Sequence, residues 1–151
     1  MTLRQYVGHA PLMCTGGGVI VENERGEILL QRRRDNGLWG VIGGAMEMGE
    51  NILDTAMREA REEAGITPLE MSLFGIYTGK DRIITYPNGD ICCVTSVIFR
   101  AKGFEGDIVS QESEVLEHRF FPRDALPEDI APFDRAPIFD WRDGREGVIV
   151  R

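Results

Sequence analysis

Between Gly43 and Ile66 the chain reads GGAMEMGENILDTAMREAREEAGI, a glycine-rich turn running directly into a charged helix. No other stretch limits the fold as much. From Asn51 to Ala64, the residues Leu53, Ala56, Met57, Ala60 and Ala64 recur at the i, i+3, i+4 and i+7 spacing of one buried helix face. Such a helix must dock on an apolar partner. At about 100° per residue, Glu59, Glu62 and Glu63 fall within an arc of roughly 100° beside that stripe. Like charges so placed cost a few tenths of a kcal/mol per pair, and more at a core edge, so a cation is the simplest compensation. Asn51 suits the N-cap with Asp54 three residues on, and Gly65 suits the left-handed position after the last turn. Gly43, Gly44 and Gly49 let the loop approach a ligand with no Cβ in the way.

The donors near this helix are all oxygens, with no Cys or His close in sequence, so the cluster suits Mg²⁺, Mn²⁺ or Ca²⁺ rather than zinc. Mg²⁺ fits best, because it keeps waters and substrate oxygens in its shell and needs only a few protein carboxylates. Gly44, five residues, Glu50, seven residues and then Arg58-Glu59-Ala60-Arg61-Glu62-Glu63-Ala64-Gly65-Ile66 resembles the complete signature of the Nudix hydrolase family. Two positions depart mildly from its usual form: Ile42 stands where many members have proline, and Ala60 is small for its apolar slot.

The resemblance implies an α/β fold, the Nudix-type α/β/α sandwich around a mixed sheet, and Mg²⁺-dependent hydrolysis of a pyrophosphate linkage, with Mn²⁺ able to substitute. By the same resemblance Glu59, Glu62, Glu63 and the carbonyl of Gly44 hold divalent cations, while Arg58 and Glu50 form a supporting pair that orients them. Family members recruit one more carboxylate from a later loop as a ligand or general base; Glu114 is the candidate here, with Glu112 behind it. The substrates implied are small nucleotides, namely ADP-ribose-like compounds, oxidised or ordinary nucleoside triphosphates and dinucleoside polyphosphates, or capped 5′-ends of RNA. A nucleotide-sensing module without hydrolysis is the alternative, although such a module should have lost part of its carboxylate cluster.

Length and charge narrow the surroundings. The 151 residues suit one domain over 1–151, with 1–10 as an N-terminal arm or added edge strand and a loose charged tail over 141–151. A net charge of −8 argues against a duplex nucleic acid partner, which demands a basic face. Cys14, Cys92 and Cys93 have no CxxC spacing, and no apolar run approaches about 18 residues, so a cytoplasmic protein without a membrane span is expected. An added edge strand at the N-terminus, together with the family resemblance, favours a homodimer.

Along the chain, Leu12–Val21 and Glu27–Arg32 read as a hairpin about the turn Asn23–Gly26, and residues 39–42 as a short strand. After the helix, Met71–Thr78, Arg82–Tyr86, Ile91–Phe99 and Val115–Phe121 read as strands, the third of them central. Residues 102–110 form a loop, Pro122 starts a helical turn, and a second helix spans about 131–139. Trp39, Tyr77 and Tyr86 are candidates for stacking on a base, each weighed against ordinary core packing. Within Arg32-Arg33-Arg34, Arg34 is the candidate phosphate contact. His9 and His118 show no partner in the sequence.

Overall fold

The computed structural model describes residues 3–110 and 113–151. In chain order the elements are α1 (Arg4–Val7), β1 (Leu12–Val21), β2 (Ile28–Arg33), β3 (Trp39–Gly40), β4 (Ile42–Ala45) and α2 (Ile52–Ala64). They continue with β5 (Thr67–Pro68), β6 (Met71–Tyr77), β7 (Ile83–Thr85), β8 (Ile91–Ala101), β9 (Phe104–Glu105), β10 (Val115–Phe121), α3 (Arg135–Arg142) and β11 (Ile149–Val150). The larger sheet has the order β11-β6-β8-β1-β4, with β7 paired to β8; the smaller has the order β10-β2-β3. The larger sheet is mixed, since β1 runs parallel to β8 from Leu12 opposite Cys92 to Val21 opposite Ala101, whereas β6 pairs antiparallel to β8 and β4 antiparallel to β1.

Side-chain alternation along the strands sorts the core into two layers. Val19 and Val21 pack with Ala56, Ala60 and Ala64 of α2, while Ile20 between them packs with Ile138 and Trp141 of α3. Leu29 joins the first layer and its neighbours Ile28 and Leu30 the second. Helices thus cover both sides of the strands, the α/β/α sandwich expected. Strand β8 is central, as its long apolar run implies.

Several local expectations are corrected. The turn after β1 forms, with the Asn23 Oδ1 accepting from the N–H groups of Arg25 and Glu27 at 3.0 Å each. No hairpin ladder follows beyond a bridge of Glu22 to Ile28, because β2 leaves for the smaller sheet and pairs with β10. Residues 39–42 divide between the two sheets at Val41 rather than forming one strand. Among the described residues the N-terminal segment forms the short helix α1 rather than the added edge strand that favours a homodimer. Its Arg4 guanidinium ties it to the sheet, donating to the carbonyls of Ala10 at 2.6 Å and Ile91 at 2.8 Å.

Residues 122–126 make a turn rather than a helix start, since Leu126 precedes Pro127 and a residue before proline avoids the helical region. The second helix opens as a 3₁₀ turn over Pro132–Asp134 and runs on through Trp141. Nor is the tail loose: Ile149 and Val150 pair parallel with β6, and the Arg151 guanidinium forks onto Asp140 at 2.8 and 2.9 Å. Within the loop 102–110, β9 pairs with β5. No helix among the described residues is long and apolar enough to cross a membrane.

Candidate active site

The site begins with glycines facing glycines. Gly16, Gly17 and Gly18 of β1 lie opposite Ala45, Gly44 and Gly43 of β4, so two neighbouring strands present bare backbone to α2. A Cβ on Gly17 would stand 3.1 Å from Ile52 and Thr55 of the helix, and one on Gly44 would collide with the Glu59 carboxylate. Close approach explains why the helix contacts are alanines. It also rotates the buried face from the expected stripe: Thr55, Ala56, Ala60, Glu63 and Ala64 are buried, whereas Leu53 is 44% exposed. Gly65 takes the left-handed C-cap at φ 70°, as expected, but Asn51 makes no capping bond with its side chain.

The rotation separates the three glutamates. Glu63 is buried, with Gln31 Nε2 donating to its Oε2 and the Gly43 N–H donating to its Oε1 at 3.1 Å. Burial is the largest influence on its carboxyl, which is pushed up to about 8; the Gln31 donor pulls the other way and the nearby Glu59 charge pushes further up. Glu59 lies over Gly44 with its side chain only 13% exposed. Glu62 turns outward, 55% exposed, to Arg58.

Arg58 is the hub of the loop. Its Nε donates to Glu50 at 2.7 Å, its Nη1 to Glu59 at 2.9 Å and Glu62 at 3.2 Å, and its Nη2 to the Ala45 carbonyl at 3.0 Å. Glu50 also accepts from Thr55 Oγ1 at 2.7 Å and the Glu47 N–H at 3.0 Å. Arg58 first, and these donors after it, hold the Glu50 carboxyl down at about 2.

Glu59 and Glu63 open onto a cleft of about 880 Å³, which Glu114, Arg34 and Tyr86 also line. Glu114 is exposed on its loop, and its carbonyl accepts the Arg34 N–H at 3.0 Å. Glu112 lies outside the described residues. Tyr86 is 45% exposed at the cleft wall. The other two aromatic candidates are not base platforms: Trp39 is buried edge-on against Phe121 at 4.9 Å, and Tyr77 is buried with its hydroxyl on Asp140 at 3.0 Å. Aromatic rings with this much surface are taken by the core first. Among the described residues no three His, Cys, Asp or Glu side chains converge on one point that could hold an ion in this arrangement. Glu59, Glu63 and the backbone of Gly44 are the groups nearest to doing so.

Sequence reasoning missed the inner end of the cleft. There Arg82 is 2% exposed, stacks 3.6 Å from the Phe133 ring centroid, and donates to Ser96 Oγ at 2.6 Å and to the Phe133 carbonyl. Its Nε has no hydrogen-bond partner among the described residues. Beside it, burial lifts the Asp134 carboxyl to about 6 against the pull of Arg82 and Arg33. A Cβ on Gly40 would collide with Asp134, which places the carboxylate against β3. No local pattern marks either residue, since their partners come from distant segments.

Asp134 gives a pH prediction. Because its folded value is raised, its contribution to stability is fully present below its ordinary value of 3.8 and is lost as pH rises through about 6. Asp134→Asn lacks that dependence, so its melting temperature should gain on the parent's between about pH 4 and about pH 7. The gain should correspond to about 2–3 kcal/mol. Paired thermal melts check it, and parallel curves would show that Asp134 ionises freely.

Known proteins carry the same pattern. A NUDIX domain model matches residues 15–141. An ADP-ribose pyrophosphatase of Methanocaldococcus jannaschii is 31% identical over 132 residues, 83% of this chain and 72% of that protein. A MutT-like protein of Streptomyces ambofaciens is 28% identical over 144 residues, 95% of this chain and 86% of that protein. Among solved structures, a MutT NUDIX hydrolase from Burkholderia pseudomallei has the same fold, with a TM-score of 0.72 at 23% identity over 85% of this chain and 97% of that one.

Proposed function

The chain belongs to the Nudix hydrolases and is a pyrophosphohydrolase, and from that premise we propose that it uses Mg²⁺, with Mn²⁺ as substitute, to cleave a P–O–P linkage in a nucleoside diphosphate joined to another group. Glu63 carries the reading: it is a 5% exposed carboxylate opening onto the cleft beside Glu59, an arrangement that a divalent cation would relieve. Glu59, Glu63 and the Gly44 carbonyl would hold the ion, and Glu62 would join them by turning away from Arg58. Once bound, the ion would neutralise adjacent phosphates and make water more acidic.

The remaining work falls to the chain itself. Glu114, exposed on the cleft, either completes the ligand set or takes the proton of the attacking water. Arg34 meets phosphate oxygens, and the exposed ring of Tyr86 offers a face to the nucleoside. ADP-ribose-like compounds lead the candidate substrates, given the name of the Methanocaldococcus jannaschii relative, followed by nucleoside triphosphates and dinucleoside polyphosphates.

A panel of these compounds with Mg²⁺ or Mn²⁺, scored for the products released, tests the reading. We expect one class to be cleaved and activity to vanish on chelation. A folded, cation-loaded protein that bound a nucleotide and returned it uncleaved would instead be a sensing module.

A further inference from the structure

The buried face of Glu63, away from the cleft, meets a line of polar side chains that the reaction does not otherwise use. Gln31 of β2 is 1% exposed and donates through Nε2 to Glu63 Oε2. Its Oε1 lies 3.1 Å from Nε2 of His118, the residue directly opposite it on β10. The other ring nitrogen of His118, Nδ1, lies 2.7 Å from Ser110 Oγ. Ser110 follows a loop held to the end of α2 by the Val109 N–H on the Ala64 carbonyl at 2.9 Å. None of the three lines the cleft.

The direction of each bond follows from the last acceptor. With a cation held, the Glu63 carboxylate is ionised and only accepts, so Gln31 must present its amide nitrogen to Glu63 and its oxygen to His118. His118 Nε2 must then carry a hydrogen, which leaves Nδ1 of the neutral ring to accept from the Ser110 hydroxyl. All three bonds run toward Glu63.

We infer that Ser110, His118 and Gln31 are positioning residues, a hydrogen-bonded chain that fixes the rotation of the Glu63 carboxylate toward the cleft. The inference rests on the cation-holding role proposed for Glu63. A carboxylate buried on its inner side is aimed by whatever protein donors reach it, and a wrongly rotated oxygen pair holds an ion less well.

The test uses the full chain, loaded with Mg²⁺, on the compound cleaved fastest in the panel. His118→Leu should lower kcat about tenfold and raise the Mg²⁺ concentration needed for half activity, with substrate KM unchanged. His118→Gln, which restores an N–H donor, should recover most of the loss. Gln31→Leu should cost at least as much, and the double variant no more than Gln31→Leu alone. Nitrogen-15 NMR of the loaded protein should show His118 with its hydrogen on Nε2. Should Gln31→Leu not fold, the two His118 variants and the NMR signature decide alone. Full kcat in His118→Leu, alongside a severe loss in Glu63→Gln, would overturn the chain; full activity in Glu63→Gln would overturn the role of Glu63 itself.

Discussion

Glu59→Gln and Glu63→Gln should each lower cation-dependent turnover by at least about a hundredfold while leaving the protein folded. The substitution keeps shape and removes one negative charge from where the cation and phosphates would meet. In Glu63→Gln the new amide faces two donors, Gln31 Nε2 and the Gly43 N–H, so Gln31 must turn over to accept from it. Turning Gln31 over moves the His118 hydrogen from Nε2 to Nδ1, which then donates to Ser110, so no hydrogen bond is lost. The variant also no longer buries a titratable carboxyl beside Glu59, and its melting temperature should stay near or above the parent's. Turnover and thermal melts on the same preparations check both halves. Near-normal turnover in both variants would refute the cation site on α2.

Arg58→Met should fail differently, losing stability and rate together. The guanidinium joins Glu50, Glu59, Glu62 and the Ala45 carbonyl, so it closes the loop before α2 onto the helix. Methionine fills much of the volume but leaves Glu50 with only Thr55 and the Glu47 N–H, and lets Glu59 drift from Gly44. Turnover should fall about 10- to 100-fold, as for other residues that orient ligands. The melting temperature should fall as well. A rate loss at unchanged melting temperature would mean that Arg58 acts on the substrate rather than on the loop.

The sequence made the glutamates of α2 and the Arg58–Glu50 pair legible, because helical periodicity and a fixed spacing are local properties. Which of the three glutamates is buried was not legible. The wheel set them beside the apolar stripe, but contact with the bare strands turned Leu53 out and Glu63 in. Hydropathy cannot register that, since it is set by the absence of side chains on β1 and β4. The turn at Asn23 was readable, whereas the sheet β2 joins depends on β10, far along the chain. Trp39 and Tyr77 show the same limit, because exposure of an aromatic ring depends on distant partners such as Phe121 and Asp140. His118 lacked a partner in the sequence because Gln31 is its neighbour only once β2 and β10 pair.

The glycines shared by β1 and β4 bear on how such an enzyme can be retuned. Laboratory evolution samples positions in proportion to what each tolerates, and here tolerance has a gradient. Side chains at 17 and 44 would press on α2 or its Glu59 carboxylate, and at 18 and 43 they would collide with the facing strand's backbone, so libraries built there would return mostly inactive clones. At Arg34 and Tyr86 the neighbouring space is cleft, and variation can reshape what is accepted without shifting Glu59 or Glu63. On the proposed site, the chemistry would be anchored where the chain is smallest, and new substrates are to be sought where it is largest.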